Sequence, residues 1–107
     1  WVDSLDDLPP GPMVLIANEF LDALPIRQFS RTGDGWRERL IGVGDDGRLA
    51  WTLGAPISRE QAGLPAALDA AGDGDLGETS PAALALIRSV AVRLVRDGGA
   101  ALFVDYG

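Results

Sequence analysis

At 107 residues the chain has the size of one domain or part of one, and 47% hydrophobic against 23% charged residues is the balance of a globular protein with its own core. A net charge of −7, with nine scattered arginines and no lysine, disfavours nucleic acid as a partner, because a phosphate backbone would be repelled. The absence of cysteine and histidine excludes, within this chain, disulfides, thiolate chemistry, a Ser-His-Asp triad, a His general base and a His-ligated zinc site. A carboxylate-only metal site stays open by composition, but no acidic residues have ligand-like spacing and none is expected. No apolar run approaches the roughly 20 residues that cross a bilayer, so no membrane span is expected. No basic start followed by an apolar segment marks a signal peptide. The first residue is Trp1 rather than Met, which leads us to expect an upstream segment.

Residues 1–10 contain Leu5-Asp6-Asp7-Leu8 and end in two prolines, predicting a loose turn or short helix and then a stop. Pro12 to Ala17 is a short apolar run after Gly11, the pattern of a strand buried on both faces in a parallel sheet. Glu19 to Leu24 reads as a single helical turn with Phe20, Ala23 and Leu24 on one side, ended by Pro25. Residues 26–53 have a different texture. Runs at 26–30, 36–43 and 48–53 are separated by Thr32-Gly33-Asp34-Gly35 and Gly44-Asp45-Asp46-Gly47. Asp-Gly between such runs is a hairpin signal, so a three-stranded antiparallel meander is expected, placed as an insertion. Residues 54–79 read as a loop-rich connection, with one or two helical turns over 65–71 and a mobile loop over 72–77. Ser80 is a good N-cap and Pro81 suits the first helical position. Leu84, Ile87, Ala91, Leu94 and Val95 recur at helical spacing, and Leu86 and Val90 widen that stripe. Arg93 and Arg96 sit where they favour the helix dipole, and Gly98 where a left-handed C-cap falls. Residues 100–104 form a second apolar strand, ending at Asp105-Tyr106-Gly107. Two apolar strands with acidic ends, the second preceded by a helix, make part of an open α/β sheet.

In such sheets ligands bind beyond the carboxyl ends of the strands, which singles out Asn18 and Glu19. A carboxylate there can bind a guanidinium bidentately or accept a proton. Equally, Glu19 can cap the following turn and Asn18 satisfy loop backbone. Asp22, one predicted helical turn on, either converges with them or is a solvated surface residue. Asp105 and Tyr106 repeat the pattern on the second strand, against the alternative of a turn Asp and a packed Tyr. Arg27 and Gln28 follow Pro25 closely and either reach the same crevice or face solvent. Trp36 and Trp51 fit cross-strand packing better than a binding face. No Gly-x-Gly-x-x-Gly follows a strand, so a nucleotide-type cofactor loop would lie outside these residues.

The run Ala17-Asn18-Glu19-Phe20-Leu21-Asp22-Ala23-Leu24-Pro25-Ile26-Arg27-Gln28-Phe29 resembles the signature of the MidA-type S-adenosylmethionine-dependent methyltransferases, relatives of the mitochondrial arginine methyltransferase that assists assembly of respiratory complex I. Only Leu21, where the family has a second Phe, departs. Gly35 to Arg39, Glu78 to Pro81 and Gly98 to Gly107 match in order, so the resemblance spans essentially the whole chain. It implies an internal segment of a class I (Rossmann-like) methyltransferase sheet with an inserted antiparallel β-meander, the two apolar strands being its fourth and fifth. It implies S-adenosylmethionine as cofactor, with the main binding loop upstream of Trp1, and a segment inactive by itself. It also implies methyl transfer to a protein arginine, with a respiratory complex I subunit as a candidate substrate. Asn18, Glu19 and Asp22 are the implied catalytic residues, Asn18 also touching cofactor. Glu19, Arg27, Asp105 and Tyr106 are the implied substrate-binding residues. The implied location is cytoplasmic for a bacterial protein and mitochondrial for a eukaryotic one, and oligomeric state is left open. Two alternatives stand beside this reading. One is a non-catalytic assembly scaffold docking through Trp36, Trp51 and the meander arginines. The other is a small-molecule methyltransferase.

Overall fold

The computed structural model describes residues 1–106 and divides into two compact units, Trp1–Pro25 with the segment from Ser80 onward, and Ile26–Thr79. In the first unit, β1 (Met13–Asn18) lies parallel to β6 (Gly99–Val104). The register runs from Met13↔Gly99 to Asn18↔Val104, so both carboxyl ends fall at one edge. Helix α2 (Pro81–Asp97) precedes β6 and starts as predicted: Ser80 Oγ accepts from the Ala83 amide at 3.2 Å and donates to the Pro25 carbonyl at 2.9 Å. At its other end Gly98 has φ +82° but an extended ψ of 174°, so it turns the chain directly into β6 rather than forming the expected left-handed cap. Residues Leu5–Asp7 make a short 3-10 turn capped by Ser4.

Two packing expectations change in this unit. The strands are not buried on both faces, since Val14, Ile16 and Leu102 are exposed. Helix α2 is apolar nearly all round, and its covered side is Val90 with Arg93, flanked by half-buried Leu86 and Leu94. The predicted stripe through Leu84, Ile87 and Val95 is open. Arg93 does more than favour the helix end. Its buried guanidinium donates to the carbonyls of Leu5 at 3.1 Å, of Leu8 at 3.5 Å and of Pro9, which ties the N-terminal segment to α2. Three backbone carbonyls around one guanidinium suit its fixed fork of donors.

The second unit is a four-stranded antiparallel sheet in the order β4-β3-β2-β5. Strands β2 (Arg27–Thr32), β3 (Gly35–Val43) and β4 (Leu49–Ile57) form the expected meander. The region 54–79 is more ordered than its composition suggests. β4 runs on to Ile57, α1 (Arg59–Ala62) follows with a capping box between Ser58 and Gln61, and a 3-10 turn spans Ala66–Ala70. Residues Leu76–Thr79 then form β5 against β2, where a mobile loop was expected over the first two of them. The core of this unit is Phe29, Trp36, Ala62 and Leu64, with Ile57, Leu68 and Ala71 packed against it. Trp36 therefore faces the core and pairs with Ile57, while Trp51 pairs with Ile41 and is exposed. The two indoles do not meet across the strands, because the turn at Asp45–Gly47 sets a register that keeps them far apart in the ladder. No helix among the described residues is long and apolar enough to cross a membrane.

Candidate active site

Because β1 and β6 are parallel and in register, the segments leaving them run side by side. The ladder extends one step past β1, as the Glu19 amide donates to the Val104 carbonyl at 2.8 Å. Glu19 has φ +50°, and no other non-glycine residue among those described has a positive φ. That left-handed backbone costs an L-residue about 1–2 kcal/mol, and such outliers cluster at functional sites.

Two crossed hydrogen bonds then join the strand ends. Glu19 Oε1 accepts from the Tyr106 amide at 3.1 Å, and Asp105 Oδ1 accepts from the Asp22 amide at 3.3 Å. Each segment's carboxylate thus holds the other segment's backbone. The second oxygens are left over. Among the described residues, Asp105 Oδ2 is buried without a hydrogen-bond partner and no protein donor reaches Glu19 Oε2. A buried acceptor without a donor costs about 1–3 kcal/mol, so Asp105 Oδ2 favours a donor from outside these residues.

The same bonds correct the predicted helical turn over 19–24. Its one backbone bond is i→i+3, from the Leu24 amide to the Leu21 carbonyl at 3.0 Å. Glu19 starts in the wrong half of backbone space for a right-handed helix, and the Asp22 amide is committed to Asp105. Asp22 thus enters the site through its backbone N–H, with its side chain exposed. Asn18 is exposed at the end of β1 and lines a cavity of about 550 Å³, with Ile16, Phe20 and Phe103 among its apolar walls. Tyr106 contributes its amide, and its side chain is exposed.

Arg27 belongs to the other unit, where Glu38 grips it through two bonds of 2.7 Å, Nε to Oε1 and Nη2 to Oε2. This pairing raises the guanidinium pKa and lowers that of the Glu38 carboxyl. The guanidinium also lies 5.1 Å from the Phe29 ring centre. Glu38 is the partner that sequence reasoning missed. The signal was present, because the Asp34-Gly35 hairpin sets Phe29 opposite Glu38 and so makes Arg27 its diagonal neighbour. At the hairpin tip, hydrogen bonds from Arg37 and then Thr32 hold the Asp34 carboxyl down to about 2.

Parallel strands with carboxylates at their shared carboxyl edge, and an antiparallel sheet carried between them in sequence, are the parts of an open α/β domain. The family model described as "Putative S-adenosyl-L-methionine-dependent methyltransferase" matches residues 1–107, and the chain belongs to that family. The chain is 38% identical over 108 residues to the Caenorhabditis elegans "Protein arginine methyltransferase NDUFAF7 homolog, mitochondrial", covering all of this chain and 25% of that protein. To the Homo sapiens "Protein arginine methyltransferase NDUFAF7, mitochondrial" it is 32% identical, covering all of this chain and 24% of that protein. Among solved structures, a COG1565 superfamily member from Burkholderia thailandensis bound to S-adenosyl-homocysteine aligns at a TM-score of 0.72 and 33% identity, over 100% of this chain and 26% of that one. The chain therefore spans about a quarter of the length of the relatives it matches. The fold is α/β, part of a class I (Rossmann-like) methyltransferase sheet carrying an antiparallel insertion.

Proposed function

We propose that, in the full-length protein, these strand ends form the acceptor side of an S-adenosylmethionine-dependent methyltransferase site that acts on a protein arginine. The observation that carries this is the pair of acceptor oxygens left over at the strand ends, one of them buried and orphaned on Asp105. A guanidinium presents five N–H donors in a planar fork, and carboxylate oxygens are its natural complement. The names of the relatives, protein arginine methyltransferases, support the same acceptor.

S-adenosylmethionine, when bound, supplies a methyl group on a positively charged sulfur. The residues fit the reacting end of that cofactor, since acceptor oxygens suit a cation, and Asn18 beside the cavity is assigned contact with it. Glu19 orients the substrate guanidinium through its free oxygen. With the methyl donor bound, Glu19 would hold one guanidinium nitrogen towards the methyl carbon and take up the proton that this nitrogen loses on methylation. Orientation matters most here, because arginine stays protonated in water and has no free lone pair to offer. Asp105 takes the opposite side of the fork, while the Asp22 and Tyr106 amides hold the two carboxylates in place. Arg27, a substrate-binding residue by the resemblance, is held by Glu38 within the antiparallel unit. The resemblance to the complex I assembly methyltransferase supports a respiratory complex I subunit as the arginine's carrier, in mitochondria if the source is eukaryotic and in the cytoplasm if it is bacterial.

The test is methyl-labelled S-adenosylmethionine with the full-length protein and two peptides differing only by arginine or lysine at one position. Label is expected on arginine and absent from the lysine peptide. Label appearing only on small molecules, or equally on both peptides, overturns the proposal.

A further inference from the structure

The bonds at the strand ends close a ring. From Glu19 the backbone runs to Asp22, whose amide donates to Asp105 Oδ1 at 3.3 Å. From Asp105 it runs to Tyr106, whose amide donates back to Glu19 Oε1 at 3.1 Å. Beside the ring lies the 2.8 Å step from the Glu19 amide to the Val104 carbonyl, which continues the β1–β6 ladder. The ring thus hangs on the ladder and closes through two carboxylates. All of its members belong to one compact unit.

Neither closing bond is strong by itself. Both are longer than the about 2.7–2.9 Å of a strong charge-assisted bond. The left-handed backbone of Glu19, φ +50°, opposes them with a strain of the same order as one such bond. Each bond gains from the other, however. Once one is closed, the other forms across a very short loop, at little further cost in chain entropy.

Through this ring Asp105 acts on Glu19. Its Oδ1 holds the amide three residues after Glu19, and that bond also fixes the segment whose next amide, from Tyr106, engages Glu19 Oε1. With Oε1 engaged there, Oε2 is the oxygen left free, and its direction follows from that of Oε1. We infer that Asp105 is a positioning residue for Glu19, the two crossed bonds forming and breaking together as one latch that aims the Glu19 carboxylate. This rests on the proposed acceptor site and orders it: Oδ1 of Asp105 serves Glu19, while Oδ2 stays for the acceptor.

The experiment compares Asp105→Ala, Asp105→Asn and Glu19→Ala in the full-length protein by residue-resolved hydrogen exchange. Asparagine keeps an Oδ1 that accepts from the Asp22 amide, and alanine does not. The acceptor of the Tyr106 amide, Glu19, is intact in both Asp105 variants. Protection of that amide is nevertheless expected to fall about tenfold or more in Asp105→Ala and to return in Asp105→Asn. Glu19→Ala is expected to cost the Asp22 amide the same protection with Asp105 unaltered, and it gives the reading from the other side if Asp105→Ala does not fold. Turnover is the second readout. With saturating arginine peptide, kcat of Asp105→Ala is expected to lie about tenfold or more below that of Asp105→Asn. Exchange that changes only at the amide whose acceptor was removed, or equal kcat in the two Asp105 variants, overturns the positioning role. If the unmodified protein transfers no methyl group to arginine, the proposed reaction fails and this role with it, while the exchange result still decides whether the two bonds act as one.

Discussion

Glu19→Gln in the full-length protein is expected to lower methyl transfer by about 1,000-fold or more, equivalent to ~4 kcal/mol of transition-state stabilisation. S-adenosylmethionine affinity, measured by calorimetry, is expected to stay within a few-fold. The substitution is chosen for what it preserves. Glutamine keeps the chain length and a carbonyl oxygen that can still accept from the Tyr106 amide, so the bond joining the strand ends survives. It fits the left-handed backbone at φ +50° no worse than glutamate does. What it removes is the negative charge and the oxygen that can take a proton, the two properties the proposed role requires. A loss confined to the transfer step therefore assigns Glu19 to the chemistry. Activity within tenfold of the unmodified enzyme would show that the strained glutamate serves only to pin the Tyr106 segment.

Gly99→Ala is expected to destabilise the full-length protein by about 3–5 kcal/mol, a size reserved for mutations with a specific steric cause. Gly99 pairs with Met13 at the first step of the β1–β6 ladder and has φ +122°, a conformation L-residues rarely adopt. A Cβ at this position would lie 1.9 Å from the Met13 carbonyl oxygen and 2.8 Å from its nitrogen. Those are backbone atoms held in the sheet, so neither can move aside without opening the ladder. Gly98→Ala is the matched control. Its φ of +82° is also unfavourable, but a Cβ there meets nothing within 4 Å, so only the strain of about 1–2 kcal/mol remains. Denaturant unfolding of the two variants separates the terms. Equal losses would mean that the clash relaxes by a movement the strand pairing does not oppose.

The elements with strong local signals were legible from the residues. The apolar runs at 13–17 and 100–104, the Asp34-Gly35 hairpin and the Ser80-Pro81 helix start each follow from local chemistry, and each forms where expected. β5 was not legible, because Leu76-Gly77-Glu78-Thr79 has one large apolar residue and earns its place through backbone bonds to β2. The buried face of α2 was hidden for the opposite reason, since a helix apolar on several sides does not announce which side is covered. At the candidate site, Asn18, Glu19, Asp105 and Tyr106 were legible as polar ends of apolar strands. Their mutual arrangement was not, because the crossed amide-to-carboxylate bonds depend on the β1–β6 register across more than eighty residues of sequence. The helix expected over 19–24 fails at the same point, where a long-range bond takes the amide that a local one would have used.

The most direct measurement is a crystal structure of the full-length protein with S-adenosylhomocysteine and an arginine-containing peptide bound together. The expected result is a substrate guanidinium within hydrogen-bond distance, about 2.7–3.2 Å, of the free oxygen of Glu19 and of Asp105 Oδ2. A guanidinium bound elsewhere, with both carboxylates engaged by the cofactor or by other parts of the chain, would contradict the acceptor site proposed at these strand ends.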